Sequence, residues 1–96
     1  MLVVVSYDVE TTDPAGRRRL RRIARACQDH GQRVQFSVFE CEITPAAWVA
    51  LRQRLIDEMD TERDSLRVYF LGADGKRKIE HIGGRRPLDL DGPLLL

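Results

Sequence analysis

The sequence predicts an α+β sandwich of two layers. Strand-like and helix-like segments follow one another in a fixed order, both helices open on a capping residue followed by proline, and 96 residues suffice for one buried core.

The first strand is Leu-Val-Val-Val-Ser-Tyr at residues 2 to 7. Its nearly continuous apolar run suits a strand buried on both faces and central in its sheet. The run stops at Asp8. Glu10-Thr11-Thr12-Asp13 then reads as a loop, and Asp13 caps a helix that begins at Pro14, where proline loses no needed hydrogen bond. Leu20, Ile23, Ala24 and Cys27 form a narrow apolar stripe at helical spacing, with arginines over the remaining surface. Gly31 is expected to close the helix in a left-handed C′ position.

From Arg33 to Ile43, Val34, Phe36 and Val38 alternate on one phase, whereas Phe39, Cys41 and Ile43 follow the other. A slip of one residue turns every later side chain to the opposite face, so the segment either bulges near Val38 or is two short strands. Thr44-Pro45 repeats the cap-plus-proline signature. Trp48, Leu51, Leu55, Ile56 and Met59 mark a second amphipathic helix. Ser65 to Leu71 reads as a further strand, Asp74-Gly75 as a turn, and Lys78 to Ile82 as a last, shorter strand. Gly83-Gly84 breaks it, so residues 1–82 form the domain and 83–96 a tail, whose three terminal leucines read equally as a docking segment for a partner or second copy and as a disordered end.

This order is βαββαβ with an additional short C-terminal strand, the ferredoxin-like arrangement. Both helices then cover one sheet face. The other face also carries apolar residues from the first strand, and a chain this short has no third layer to cover it. A twofold homodimer is therefore expected.

Basic and acidic residues nearly cancel, 16 against 15, so anionic partners must be argued from placement. Fourteen of the basic residues are arginine, and six lie between Arg17 and Arg25 with no acid among them. Asp57, Glu58, Asp60, Glu62 and Asp64 crowd an acidic stretch. No apolar run approaches the roughly 20 residues of a membrane span. The opening lacks the pattern of a secretory signal, so a cytoplasmic location is expected. Cys27 and Cys41 match no metal-ligand spacing and read first as buried free thiols.

Asp8 stands where a rigid strand meets the rim of the core. Such carboxylates often only cap loops. Yet magnesium commonly uses one or two carboxylates with waters and phosphate oxygens, and Asp8 from two copies would supply that pair for metal-assisted phosphodiester hydrolysis. Arg17, Arg18, Arg19, Arg21 and Arg22, with Arg25, suit phosphate contacts without sequence preference. A helix kept only for solubility would interleave acids. Arg33, Lys76, Lys78, Arg85 and Arg86 extend that surface. His30 and His81 are isolated and read as surface or strand-packing residues. A single-strand RNA reader with the same element order would use exposed aromatics in Gln35-Phe-Ser-Val-Phe39, but the glycines of that pattern are absent.

The strand ending in Tyr7-Asp8, the arginine-rich helix and Gly31-Gln-Arg-Val-Gln-Phe-Ser-Val-Phe-Glu40 resemble the small CRISPR-associated adaptation protein that partners the CRISPR integrase. The likeness covers about residues 1 to 82. It implies a homodimer that takes part in spacer insertion beside the integrase subunit and binds RNA or duplex DNA. It also implies a magnesium-dependent endoribonuclease or endonuclease. By the resemblance, Asp8 is the metal-binding and catalytic aspartate, Tyr7, Arg33 and Phe39 shape the nuclease site, and arginines between Arg17 and Arg22 contact phosphate. The alternative is a purely structural DNA-binding adaptor of the integrase without nuclease activity.

Overall fold

The computed structural model describes residues 1–72 and 77–84. In order they form β1 (Leu2–Asp8), α1 (Pro14–Gln28), β2 (Gln32–Gln35), β3 (Val38–Glu42), α2 (Pro45–Glu58), β4 (Ser65–Leu71) and β5 (Arg77–Gly83). The strands make one antiparallel sheet in the order β2-β3-β1-β4-β5. This is the ferredoxin-like βαββαβ arrangement extended by one strand, with β1 at the centre as the sequence predicts. The expected Asp74-Gly75 turn, together with Lys76 and the tail from Arg85 onward, lies outside the described residues.

Both helices start where their caps require. The Asp13 carboxylate accepts from the Gly16 amide at 2.8 Å, and the Thr44 hydroxyl accepts from the Ala47 amide at 3.1 Å. Each satisfies an amide that the first helical turn leaves without a partner. Ile23, Ala26 and Cys27 of α1 and Trp48, Leu51 and Leu55 of α2 bury themselves against Val3, Val5, Tyr7, Phe39, Cys41, Leu66 and Val68. Alternation puts all of these strand residues on one face of the sheet. The core therefore lies between that face and the helix layer, and Trp48 meets Phe70 edge-on at 5.4 Å.

Three expectations change. Strand β1 is not buried on both faces: Val3, Val5 and Tyr7 are buried, whereas Leu2, Val4 and Ser6 are only half-covered, because a single helix layer covers one side. Gly31 does not adopt a left-handed conformation, since Gly83 (φ 109°) is the positive-φ glycine among the described residues. Helix α1 instead ends on Asp29 in a right-handed conformation. Gly31 is small for another reason: a Cβ there would collide with the Glu40 carbonyl and the Cys41 sulfur. Finally, the last strand includes Gly83, one residue into the expected tail.

The phase slip near Val38 resolves as two short strands and not as a bulge there; the irregularity in pairing lies earlier, at Val34. β2 and β3 are separate strands joined by a turn at Phe36-Ser37, and the pairing shifts between Arg33 and Gln35, leaving Val34 as the bulged residue.

Candidate nucleic-acid interface

Helix α1 divides its arginines among three destinations. Arg18, Arg21, Arg22 and Arg25 line one exposed depression with Gln28 and, from α2, Arg54 and Glu58. Arg17 reaches toward the Thr11 carbonyl at 3.4 Å, at the start of the helix. Arg19 turns inward, and its Nε donates to Asp64 Oδ2 at 2.8 Å. Sequence reasoning grouped Arg19 with the phosphate-binding residues; the fold commits its guanidinium to a fully buried carboxylate. Sequence reasoning also missed Arg54, which lies 29 positions beyond Arg25 and joins the depression only because α1 and α2 pack side by side.

Two acids temper this positive surface. Glu58 lies 3.8 Å from Arg22, and Asp29 accepts from Arg54 at 2.8 Å. The Arg54 guanidinium holds the Asp29 carboxyl below its ordinary range. Arg18 and Arg21 have no acid at helical spacing, whereas Arg25 has Asp29 four residues on and contributes to lowering its carboxyl pKa.

Asp64 is the hub of the adjoining loops. Beyond Arg19 it accepts from the Asp60 amide at 2.9 Å and the Glu10 amide at 3.1 Å. Burial pushes its carboxyl up, but the guanidinium and the two amides outweigh that, and the net shift is downward. Arg63 completes the bracing by pairing with Glu10 at 3.2 Å and Asp13 at 3.1 Å. The loop that follows Asp8 is thus held to the start of α1 and to the segment before β4.

The residues expected to shape a nuclease site fall into two groups. Tyr7, Arg33 and Phe39 come together: the Tyr7 and Phe39 rings stack at 6.2 Å, and the Arg33 guanidinium lies 5.1 Å from the Phe39 ring centre. Burial pushes the Tyr7 phenol up, and the Arg33 guanidinium partly offsets this. Asp8 sits apart from them. It is exposed at the end of β1, its backbone opposite Ser65, and alternation turns its side chain away from the helix-covered face. Asp8 and the arginine depression therefore belong to different layers of the sandwich.

One exposed carboxylate does not make a metal centre, and no group of three or more His, Cys, Asp or Glu among the described residues is placed to hold an ion. Asp8 fits magnesium only in the form in which that ion keeps most of its waters and takes one or two carboxylates, the second coming from another copy. The thiols carry no such chemistry. Cys27 and Cys41 are buried and free, and burial pushes Cys27 up to about 12. Both ring nitrogens of His81 are buried without a hydrogen-bond partner among the described residues, as suits a strand-packing histidine. No described helix is long and apolar enough to cross a membrane.

Fold and site together define a ferredoxin-like α+β protein with a guanidinium-lined helix layer. Residues 1–79 match the family described as CRISPR associated protein Cas2. The chain is 62% identical over its full length, and over the full length of the relative, to the CRISPR-associated endoribonuclease Cas2 of Chlorobaculum tepidum. It is 48% identical over 99% of both chains to the CRISPR-associated endonuclease Cas2 of Halalkalibacterium halodurans. The crystal structure of Streptococcus pyogenes Cas2 at pH 6.5 superposes with a TM-score of 0.71 at 56% identity, covering 75% of this chain and 87% of that one. The chain belongs to the Cas2 family.

Proposed function

We propose that this Cas2 chain works as a paired scaffold of CRISPR spacer acquisition. It grips the phosphodiester backbone through the helix layer and carries a magnesium-dependent phosphodiesterase site where two Asp8 side chains meet. The observation that carries the reading is the convergence of Arg18, Arg21, Arg22, Arg25 and Arg54 on one depression. Guanidinium forks match phosphate oxygens, and such contacts add affinity without reading bases.

Pairing is supported by the uncovered sheet face. Leu2 and Val4 lie half-covered there, beside Leu71 at 38% and Ile79 at 48% exposure, an apolar stripe that a second copy would bury. The integrase subunit is the proposed protein partner, with RNA or duplex DNA as the polyanion.

Magnesium held by the two Asp8 carboxylates would supply an acidified water and charge neutralisation at phosphorus. The protein's own part is to fix Asp8 on a central strand, with the following loop braced through Asp64. A second reading, a structural adaptor without cleavage, is favoured by the placement of Asp8 in the sheet layer and of the arginine depression in the helix layer, which lets binding proceed without the carboxylate.

Two variants separate the readings. Charge reversal at Arg18 and Arg22 should weaken duplex binding about 100-fold or more at moderate salt, while Asp8→Asn should bind normally. Abolished cleavage in Asp8→Asn, with retained folding, supports the phosphodiesterase. Cleavage equal to wild type in Asp8→Asn, or in excess chelator, eliminates it. Undiminished binding in the charge-reversed variant eliminates the helix-layer grip.

A further inference from the structure

The β2–β3 hairpin ends in an aromatic ring that the fold leaves in solvent. Phe36 is 93% exposed, the most exposed large apolar side chain among the described residues. Its backbone, by contrast, is tied down. The Phe36 carbonyl accepts from the Tyr7 hydroxyl at 3.4 Å, and the Ser37 carbonyl accepts from the Tyr7 amide at 3.0 Å. The tip is therefore a braced platform carrying a ring with no intramolecular packing role.

A shallow depression surrounds it, lined by Arg33, Val34, Gln35, Phe36, Ser37 and Val38. This lining holds one cation and no carboxylate. Arg33 is itself held over the Phe39 ring, and the bulge at Val34 shifts the side chains of β2 relative to a regular strand. A flat exposed ring, a nearby guanidinium and two uncharged polar side chains match the parts of a nucleotide: a base to stack, a phosphate to neutralise and edges to hydrogen-bond.

We propose that the Phe36 tip is a stacking site for an unpaired nucleobase, so that the protein holds single-stranded segments or frayed ends through the hairpin while the helix layer holds duplex backbone. This rests on the nucleic-acid binding proposed above and specifies a strand feature that guanidinium contacts alone do not distinguish. Charge favours this occupant over a basic or uncharged protein segment, because the one charged group among the lining residues is the Arg33 guanidinium, and the flat exposed ring suits a base better than an acidic side chain. Gln35 and Val38 share the uncovered sheet face with the apolar stripe available for self-association, whose exposed residues Leu71 and Ile79 lie across β1 on β4 and β5, so the test includes a readout of contact between copies.

The test measures fluorescence anisotropy of the full chain with two probes, a short labelled single strand and a blunt duplex of the same sequence. Phe36→Ala should weaken single-strand binding about ten-fold and change duplex binding less than about two-fold, and Phe36→Trp should restore single-strand affinity. Unchanged single-strand affinity in Phe36→Ala overturns the inference. So does an equal loss on both probes, or a shift of Phe36→Ala to half the wild-type mass in sedimentation, which would make the tip a contact between copies. Wild-type protein that binds duplex but not single strand also overturns it and leaves the proposed function standing. Binding to neither probe removes both.

Discussion

Asp64 shows how much one side chain settles here. Its carboxylate has no exposure to solvent and takes three donors, one of them the Arg19 guanidinium. Removing one partner of a buried pair leaves the other uncompensated. Asp64→Ala should therefore lower stability by about 3 kcal/mol in urea unfolding, and a loss below about 1 kcal/mol would show the pair to be incidental. The pH dependence follows from the same group. Asp13, Asp29 and Asp64 all have carboxyl pKa values lowered by folding. Each contributes stability above its unfolded value of about 3.9 and loses it as pH falls through the lower folded value. Stability should thus decline below about pH 4, and Asp64→Asn should flatten that acid limb. None of this was visible in sequence, where Asp64 was one acid in a crowded stretch and Arg19 one arginine in a run. The two lie 45 positions apart, and only the packing of α1 against the segment before β4 joins them.

At the scale of elements, the legible features were those written in local chemistry. Asp13-Pro14 and Thr44-Pro45 placed both helix starts, and the slipped alternation near Val38 announced either a bulge or two short strands, of which the fold takes the second. Gly31 was misread because a glycine after a helix has two uses, a left-handed cap or a close approach, and sequence does not tell them apart. The close approach here is to β3. Gly31→Ala should then cost about 1–3 kcal/mol through displaced backbone, read as a lowered midpoint in denaturant. A neutral or stabilising effect, as expected of an ordinary right-handed position, would contradict the packing role. The arginine run carries the same lesson. Its sequence shows abundance, but the split into depression, loop contact and buried pair depends on which face of α1 each residue occupies and on Arg54 arriving from α2.

For the whole molecule, a single helix layer on a five-stranded sheet leaves one face to be covered by something else. If a second copy covers it, wild-type protein should sediment at twice the 11.0 kDa chain mass. Leu71→Lys with Ile79→Lys should then yield folded monomer, because both side chains are already exposed in the single chain. Wild-type protein sedimenting at 11.0 kDa would contradict the pairing. The sequence foretold this uncovered face from the two apolar phases of β1, but it could not place Asp8 and the arginines in different layers.

The grip of the helix layer on phosphate is tested most directly by the salt dependence of duplex binding. Each neutralised phosphate contributes about 0.9 to the slope of log affinity against log salt. Replacing Arg18 and Arg22 by glutamine removes two cations per chain and four per pair, so the slope should become shallower by about 3.6 while the protein stays folded and paired. A slope unchanged from wild type would mean that the backbone is held elsewhere on the molecule.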